Sequence, residues 1–477
     1  MRSIFAFSLA VLAATTGACS SSKSTSCNPS DPAACSGLPG GAVCESVEGG
    51  GSACFLPLFV SGKVTDLETG LAIAGARVVA LDANRAPASA VGTTDAGGNY
   101  RLSVHATRSP DGRPVLARIT LRADAQDYQT FPGGVRSALP IDLSTATDVG
   151  AGGWDASGPL TSVGLIPLPD TTDLLSISGV IELPPSRVGL LVVAEPQAGG
   201  AGLTGIADPG GSYTIFNVPA ADAPGTAYAV DAYGRGVNYV PATVTLVRGA
   251  SAPAVNLAIR DATTALIDGS LIYNSGATTP TSVALVVKST YSAVLDRGES
   301  PPSLVAPVPS GSTYTLQGVP DGTFIALAAF GIDGDVRDLS DTGNTAPVEV
   351  VVQDGALVGT LGAFKLVGAV ELTSIDGVAV GGDAVPVRVT SASPTFEWAK
   401  APSYASAATF QYDVYDAFGI NVWSGTRSGG GAGPFTATYA GEPLRSGMYY
   451  QLRVKAIDTG GSTLSQSEDL KGVFFRP

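Results

Sequence analysis

Apolar residues in this chain come in short alternating runs, and the runs recur. Val60-Ser-Gly62-Lys-Val64 returns as Ile177-Ser-Gly179-Val-Ile181 and again as Ile267-Asp-Gly269-Ser-Leu271. Apolar positions two apart are the period of a half-buried strand. Downstream of the first run lies Asp95-Ala-Gly97-Gly98-Asn99-Tyr100-Arg-Leu102, and downstream of the second Asp208-Pro-Gly210-Gly211-Ser212-Tyr213-Thr-Ile215. The third has the looser Gly311-Ser-Thr-Tyr314-Thr-Leu316. Asp-x-Gly-Gly is hairpin chemistry, because a tight turn needs positive φ and glycine adopts it without strain. The second and third units continue to Asn217-Val-Pro219 and Gly318-Val-Pro320, then to Ala-rich runs ending in aromatic-Gly, Tyr228 to Gly234 and Phe324 to Gly331. Three repeated units are predicted, over 56–170, 171–262 and 263–366.

These motifs resemble the carboxypeptidase regulatory-like modules, which are sandwiches of the transthyretin (prealbumin) type. The first unit, VSGKVTDLETGLAIAGARVVAL with TTDAGGNYRLSV, carries the resemblance most fully. It implies a seven-stranded antiparallel β-sandwich that accompanies other domains and is not itself catalytic. Residues 367–477 follow a different pattern. SASPTFEWAKAP puts Trp398 at the end of an alternating strand, and PLRSGMYYQLRVKAID sets Leu444 ahead of Tyr450, with Arg453, Val454 and Ala456 following. This is similar to a fibronectin type III domain, in which a Trp fills the core and a Tyr forms the tyrosine corner. Ser446-Gly447 stands where that family has Pro-Gly. The expected fold class is therefore all-β: tandem antiparallel β-sandwiches, Ig-like or prealbumin-like, in a row after a small disulfide-rich segment.

That segment begins beyond an export signal. Arg2 is a minimal basic start, Ile4 to Ala14 a short apolar run, and small residues lead to Cys19. The pattern over residues 1–18 is that of a secretory signal. Thr16-Gly17-Ala18-Cys19 resembles the lipobox of bacterial lipoproteins, with Thr16 where that family usually has Leu. The resemblance implies that Cys19 becomes the acylated first residue, that residues 19–26 are a flexible tether, and that the protein is moored to a membrane through lipid. The serines after Cys19 suit, by the same resemblance, the outer membrane or cell surface of a Gram-negative bacterium. The alternative is ordinary signal cleavage that leaves Cys19 free or paired. Four cysteines remain, Cys27, Cys35, Cys44 and Cys54, in residues 27–55. In an oxidising compartment they form two disulfides, in one of three connectivities. Their spacing is too wide for a zinc site. The stretch is poor in apolar residues, so it needs staples to hold a shape, and a spacer role fits it.

Charge and chemistry narrow the function. The chain has 477 residues and a net charge of −14, which argues against nucleic acid as a partner. No stretch after the first twenty residues approaches a membrane span. His105 is the only histidine and ends a predicted strand, so a Ser-His-Asp site or a His-rich metal centre has little to be built from. Ser20-Ser-Ser-Lys23 matches an S-x-x-K motif without its companions, and Gly429 to Gly433 lacks the dinucleotide fingerprint. The acidic run Asp333, Asp335, Asp338 and Asp341 is a candidate calcium loop, although Arg337 intrudes, and a solvated loop is the plainer reading. Trp154, in a Gly-rich loop, and Trp423, on an expected edge strand, are candidate sugar-stacking residues, with packing as the plainer reading. The expected function is non-enzymatic and without a required cofactor: a lipid-anchored envelope stalk, adhesion or binding scaffold with a polysaccharide or protein partner. The alternatives are a carbohydrate-binding accessory lipoprotein and, behind it, an atypical hydrolase with carboxylates converging in a cleft.

Overall fold

The computed structural model describes residues 26–28, 34–38, 40–82, 87–115, 118–133, 136, 138, 140–150, 153–184, 190–220, 227–273, 281–293, 297–308, 311–328, 335–337, 348–380, 386–416, 420–446, 448–468 and 471–477. Among them, every regular element is a β-strand or a single turn of 3-10 helix. None is a helix long and apolar enough to cross a membrane. The fold is all-β, as the alternation predicts.

The same arrangement appears three times. In the first sandwich the opening strand Leu58–Asp66 pairs antiparallel with Asn99–Val104, placing Gly62 opposite Tyr100. In the second, Leu174–Val180 pairs with Ser212–Pro219, with Gly179 opposite Tyr213. In the third, Ala265–Tyr273 pairs with Thr313–Val319, with Gly269 opposite Tyr314. On its other edge each opening strand meets the closing segment of its unit in parallel. Gly153–Ser157 and Val163–Pro167 do this in the first unit, bridges to Ala252 and Leu257 in the second, and Phe364–Gly368 in the third. Each repeat thus has one parallel seam in an otherwise antiparallel sandwich. The closing strand arrives after crossing between the sheets, so it can enter in the same direction as the opening one.

The repeated Gly-Tyr pair has a steric cause. A Cβ on Gly179 would lie 2.0 Å from the Val255 carbonyl oxygen, and the Tyr213 hydroxyl donates to that oxygen at 2.6 Å. A Cβ on Gly62 would lie 1.9 Å from the Thr161 carbonyl oxygen, to which Tyr100 donates. The tyrosine crosses the bare glycine and ties the closing segment to the opening strand. The turn ahead of each tyrosine is held by its aspartate: Asp95 Oδ1 accepts from the Gly97 and Asn99 amides, and Asp208 Oδ1 from those of Gly210 and Ser212. Asp458 does the same for Gly460 and Ser462 near the C-terminus.

The fourth sandwich sets Leu372–Ile375, Thr395–Trp398 and Phe435–Thr438 in one sheet, and Thr409–Asp416, Asn421–Ser428, Met448–Ile457 and Val473–Arg476 in the other. Trp398 is fully buried between them, edge-on to Phe410 at 5.8 Å and stacked on Phe435 at 6.4 Å. The Tyr450 hydroxyl accepts from the Arg445 amide at 2.7 Å, bonding back across the turn it follows.

The tandem sandwiches share buried surface. Arg77–Leu81, Leu190–Pro196, Thr281–Val287 and Gly322–Ala328 are buried along nearly consecutive residues, which requires cover on both faces. Leu190, Val192 and Ala194 fill the second sandwich's own core. Leu191 and Val193 join Val79 and Leu81 of the first sandwich and Leu285 and Phe324 of the third in one shared cluster. The repeated x-Val-Pro motif marks the docking points. Asn217, at φ 60°, donates from Nδ2 to the Ala125 and Tyr128 carbonyls of the first sandwich at 3.0 and 2.7 Å. Gly318, its counterpart, accepts at its carbonyl from the Gly236 amide of the second sandwich at 2.7 Å.

Candidate functional site

Buried charges carry much of this assembly. Arg122 rises from the strand Arg118–Asp124 of the first sandwich and is buried. Its guanidinium grips Asp124 at 3.1 and 3.2 Å, donates to Thr204 Oγ1 of the second sandwich at 3.0 Å and pairs with Glu299 of the third at 3.0 Å. One side chain therefore touches all three repeats. The two carboxylates outweigh its burial and hold its pKa above the ordinary arginine value. Arg136 makes the corresponding link to the fourth sandwich: it donates to the Gly164 carbonyl and lies between Phe131, at 4.7 Å, and Tyr449, at 5.1 Å.

The cysteines form Cys27–Cys44 and Cys35–Cys54, one of the three pairings open from sequence. They clamp a hairpin, Val43–Ser46 with Ser52–Phe55, that docks onto the first sandwich. Glu45 and Arg108 are buried against each other there, the Arg108 guanidinium donates to the Leu56 carbonyl at 3.1 Å, and the Arg108 amide donates to the Ser46 carbonyl at 2.9 Å. Burial pushes the Glu45 carboxyl up from its ordinary range despite the arginine. The stapled segment is thus packed on the first sandwich. His105 follows the strand Asn99–Val104 and is exposed, its Nδ1 3.7 Å from Glu45.

Cys19, Asp333, Asp338 and Asp341 lie outside the described residues. Asp335 belongs to a short strand, Asp335–Arg337, paired with Phe364–Gly368, so the backbone there is extended and not looped. Trp154 is not in a loop either. Gly150 and Gly153 are paired at the ends of two antiparallel strands, and Trp154 sits in the second of them opposite Leu58, half-buried against the first core. Trp423 is on the edge strand Asn421–Ser428, its ring among Tyr412 at 4.8 Å, Tyr439 at 5.3 Å and Phe396 at 6.1 Å.

A concave site does exist where the second and third sandwiches meet, an open cleft of 660 Å³. Glu195, Tyr233, Lys288, Ser289, Tyr291 and Thr323 line it. Glu195 Oε1 accepts from the Ser289 hydroxyl at 2.6 Å, the Gly202 amide donates to the Ser289 carbonyl at 2.8 Å, and Lys288 pairs with Glu349 at 2.6 Å. Tyr233 meets Phe324 edge-on at 5.8 Å. Close approach demands glycine at 322, whose Cβ would strike both rings at 3.1 Å. Asp231 stands beside this wall, its pKa pushed up to about 7 by burial and, secondarily, by the Glu195 charge. The cleft joins hydroxyls and rings with one carboxylate, that of Glu195, and His105 is outside it. Sequence reading missed it because its walls come from separate units. A visible signal was the charge in an apolar run, as in Leu190–Pro196, where Glu195 follows LLVVA.

No family model and no curated protein matches the chain. Among solved structures it is similar to a Streptococcal ancillary pilin, at 12% identity over 65% of this chain and 98% of that one, TM-score 0.16. It is also similar to the major pilin subunit of Bacillus cereus, at 10% over 64% and 99%, TM-score 0.16, and to a shaft pilin of Lactobacillus rhamnosus GG, at 11% over 43% and 97%, TM-score 0.17. At such similarity nothing about function passes from those proteins to this chain.

Proposed function

We propose that this chain is a non-enzymatic scaffold of the cell envelope, exported and held by acyl chains on Cys19. In this reading three regulatory-like sandwiches and a fibronectin-III-like one form a single rigid body that presents its loops to a polysaccharide or protein partner, at the outer membrane or surface of a Gram-negative bacterium. The carrying observation is Arg122, which joins three sandwiches through one buried side chain. Such fusion serves a body that must hold its shape. The lipobox-like Thr16 to Cys19 supports the mooring: each buried methylene contributes about 0.8 kcal/mol, so one chain binds reversibly and two or more hold stably. Carbohydrate binding through Trp154 and Trp423 draws no support from their packing. A hydrolase draws none from Glu195, whose carboxylate is bonded to Ser289.

The test is mass spectrometry of the N-terminal peptide with fractionation of cells. The mature chain should begin at an acylated Cys19 and sediment with membranes, and Cys19→Ala should release it. An unmodified Cys19 would remove the mooring from the proposal.

A further inference from the structure

We propose that the joint between the second and third sandwiches responds to pH: it is closed while the Asp231 carboxyl is uncharged and loosens on its cleft side when that group ionises beside Glu195. The geometry begins with register. Leu191 lies opposite Tyr233, Val193 opposite Asp231 and Glu195 opposite Ala229. These six residues share one face of the sheet. That face is turned to the third sandwich, because Leu191, Val193 and Tyr233 belong to the same buried cluster as Leu285 and Phe324. Asp231 is only partly buried on this face, and lifting the third sandwich would expose the rest of it.

The cations around the joint are engaged elsewhere. On the second sandwich Arg260 is bonded to Asp321 of the third at 2.5 Å. From the third sandwich Lys288 is bonded to Glu349. At the junction with the first sandwich Arg122 is held by Asp124 and Glu299 and stays charged throughout. Only the Ala232 amide, at 2.7 Å, and the distant Arg260 charge favour the ionised Asp231, and burial with Glu195 outweighs them. The sign follows. The folded group keeps its proton from the ordinary carboxylate range up to about 7, where the unfolded group has lost it. Closure is therefore fully supported in acid and weakens as pH rises to about 7, with no further change above.

The Gly202 amide reports on this joint directly, since its hydrogen bond to Ser289 crosses it. Hydrogen–deuterium exchange of the full ectodomain, read on a peptide spanning 197–207 and corrected for intrinsic exchange, gives its opening equilibrium at pH 5.5 and 8.5. The expected result is an opening about tenfold more populated at the higher pH, with no change in a peptide spanning 409–416 of the fourth sandwich. Asp231→Asn should abolish the step, and Glu195→Gln should shrink it while keeping the Ser289 contact. Equal protection at both pH values, or a full step in Asp231→Asn, would overturn the proposal. Should Asp231→Asn fail to fold, an undiminished step in Glu195→Gln overturns it equally.

Discussion

At Gly179 the opening strand of the second sandwich carries no side chain because Tyr213 needs the space. Tyr213→Phe removes the hydroxyl that satisfies Val255 and should cost about 1 kcal/mol in denaturant unfolding. Gly179→Ala drives a methyl group into the same carbonyl and should cost about 3 kcal/mol. A smaller effect for the alanine than for the phenylalanine would reject the steric reading. Arg122 is the other residue on which much depends. Arg122→Ala strands Asp124 in a buried site and should cost about 3–5 kcal/mol. In a double-mutant cycle, Arg122 and Glu299 should couple although they belong to different sandwiches, which independent modules would not show.

Elements differ in how openly the sequence announced them. The alternation at Val60 to Val64 falls within the strand Leu58–Asp66, and the aspartate-glycine turns stand where their chemistry asks for positive φ, with Gly98 at 75° and Gly211 at 82°. The Gly-rich stretch before Trp154 misled because glycines mark a turn without saying how soon the strand resumes. The disulfide hairpin was legible as a stapled segment but not as a docked one, since Glu45 and Arg108 are 63 residues apart and neither looks unusual alone. Replacing Cys27 and Cys44 by alanine should cost that hairpin about 2–4 kcal/mol. Limited proteolysis should then nick residues 27–55 and leave the sandwiches intact. Intact hairpin at wild-type rates would mean that the Glu45–Arg108 contact alone holds it.

For the whole molecule, the consequence of shared cores is cooperativity. Four separate beads would melt in separate steps, whereas the first three sandwiches, joined by one apolar cluster and by Arg122, should unfold in a single calorimetric transition. Arg122→Ala should split it. Separate transitions in the wild-type protein would contradict the fused body.

Taken alone, the sequence determined the all-β class, the turns, the recurrence of the strand and turn motifs in each repeat and the clustering of the last four cysteines. These features depend on neighbours close in the chain or on a period of two, which a strand imposes wherever it lies. Tertiary structure alone decided the cystine pairing, the docking of one sandwich on another, the cleft beside Asp231 and the burial of Arg122. An apolar strand declares that it must be covered on both faces, but the identity of its cover is set by which distant surfaces match in shape and charge.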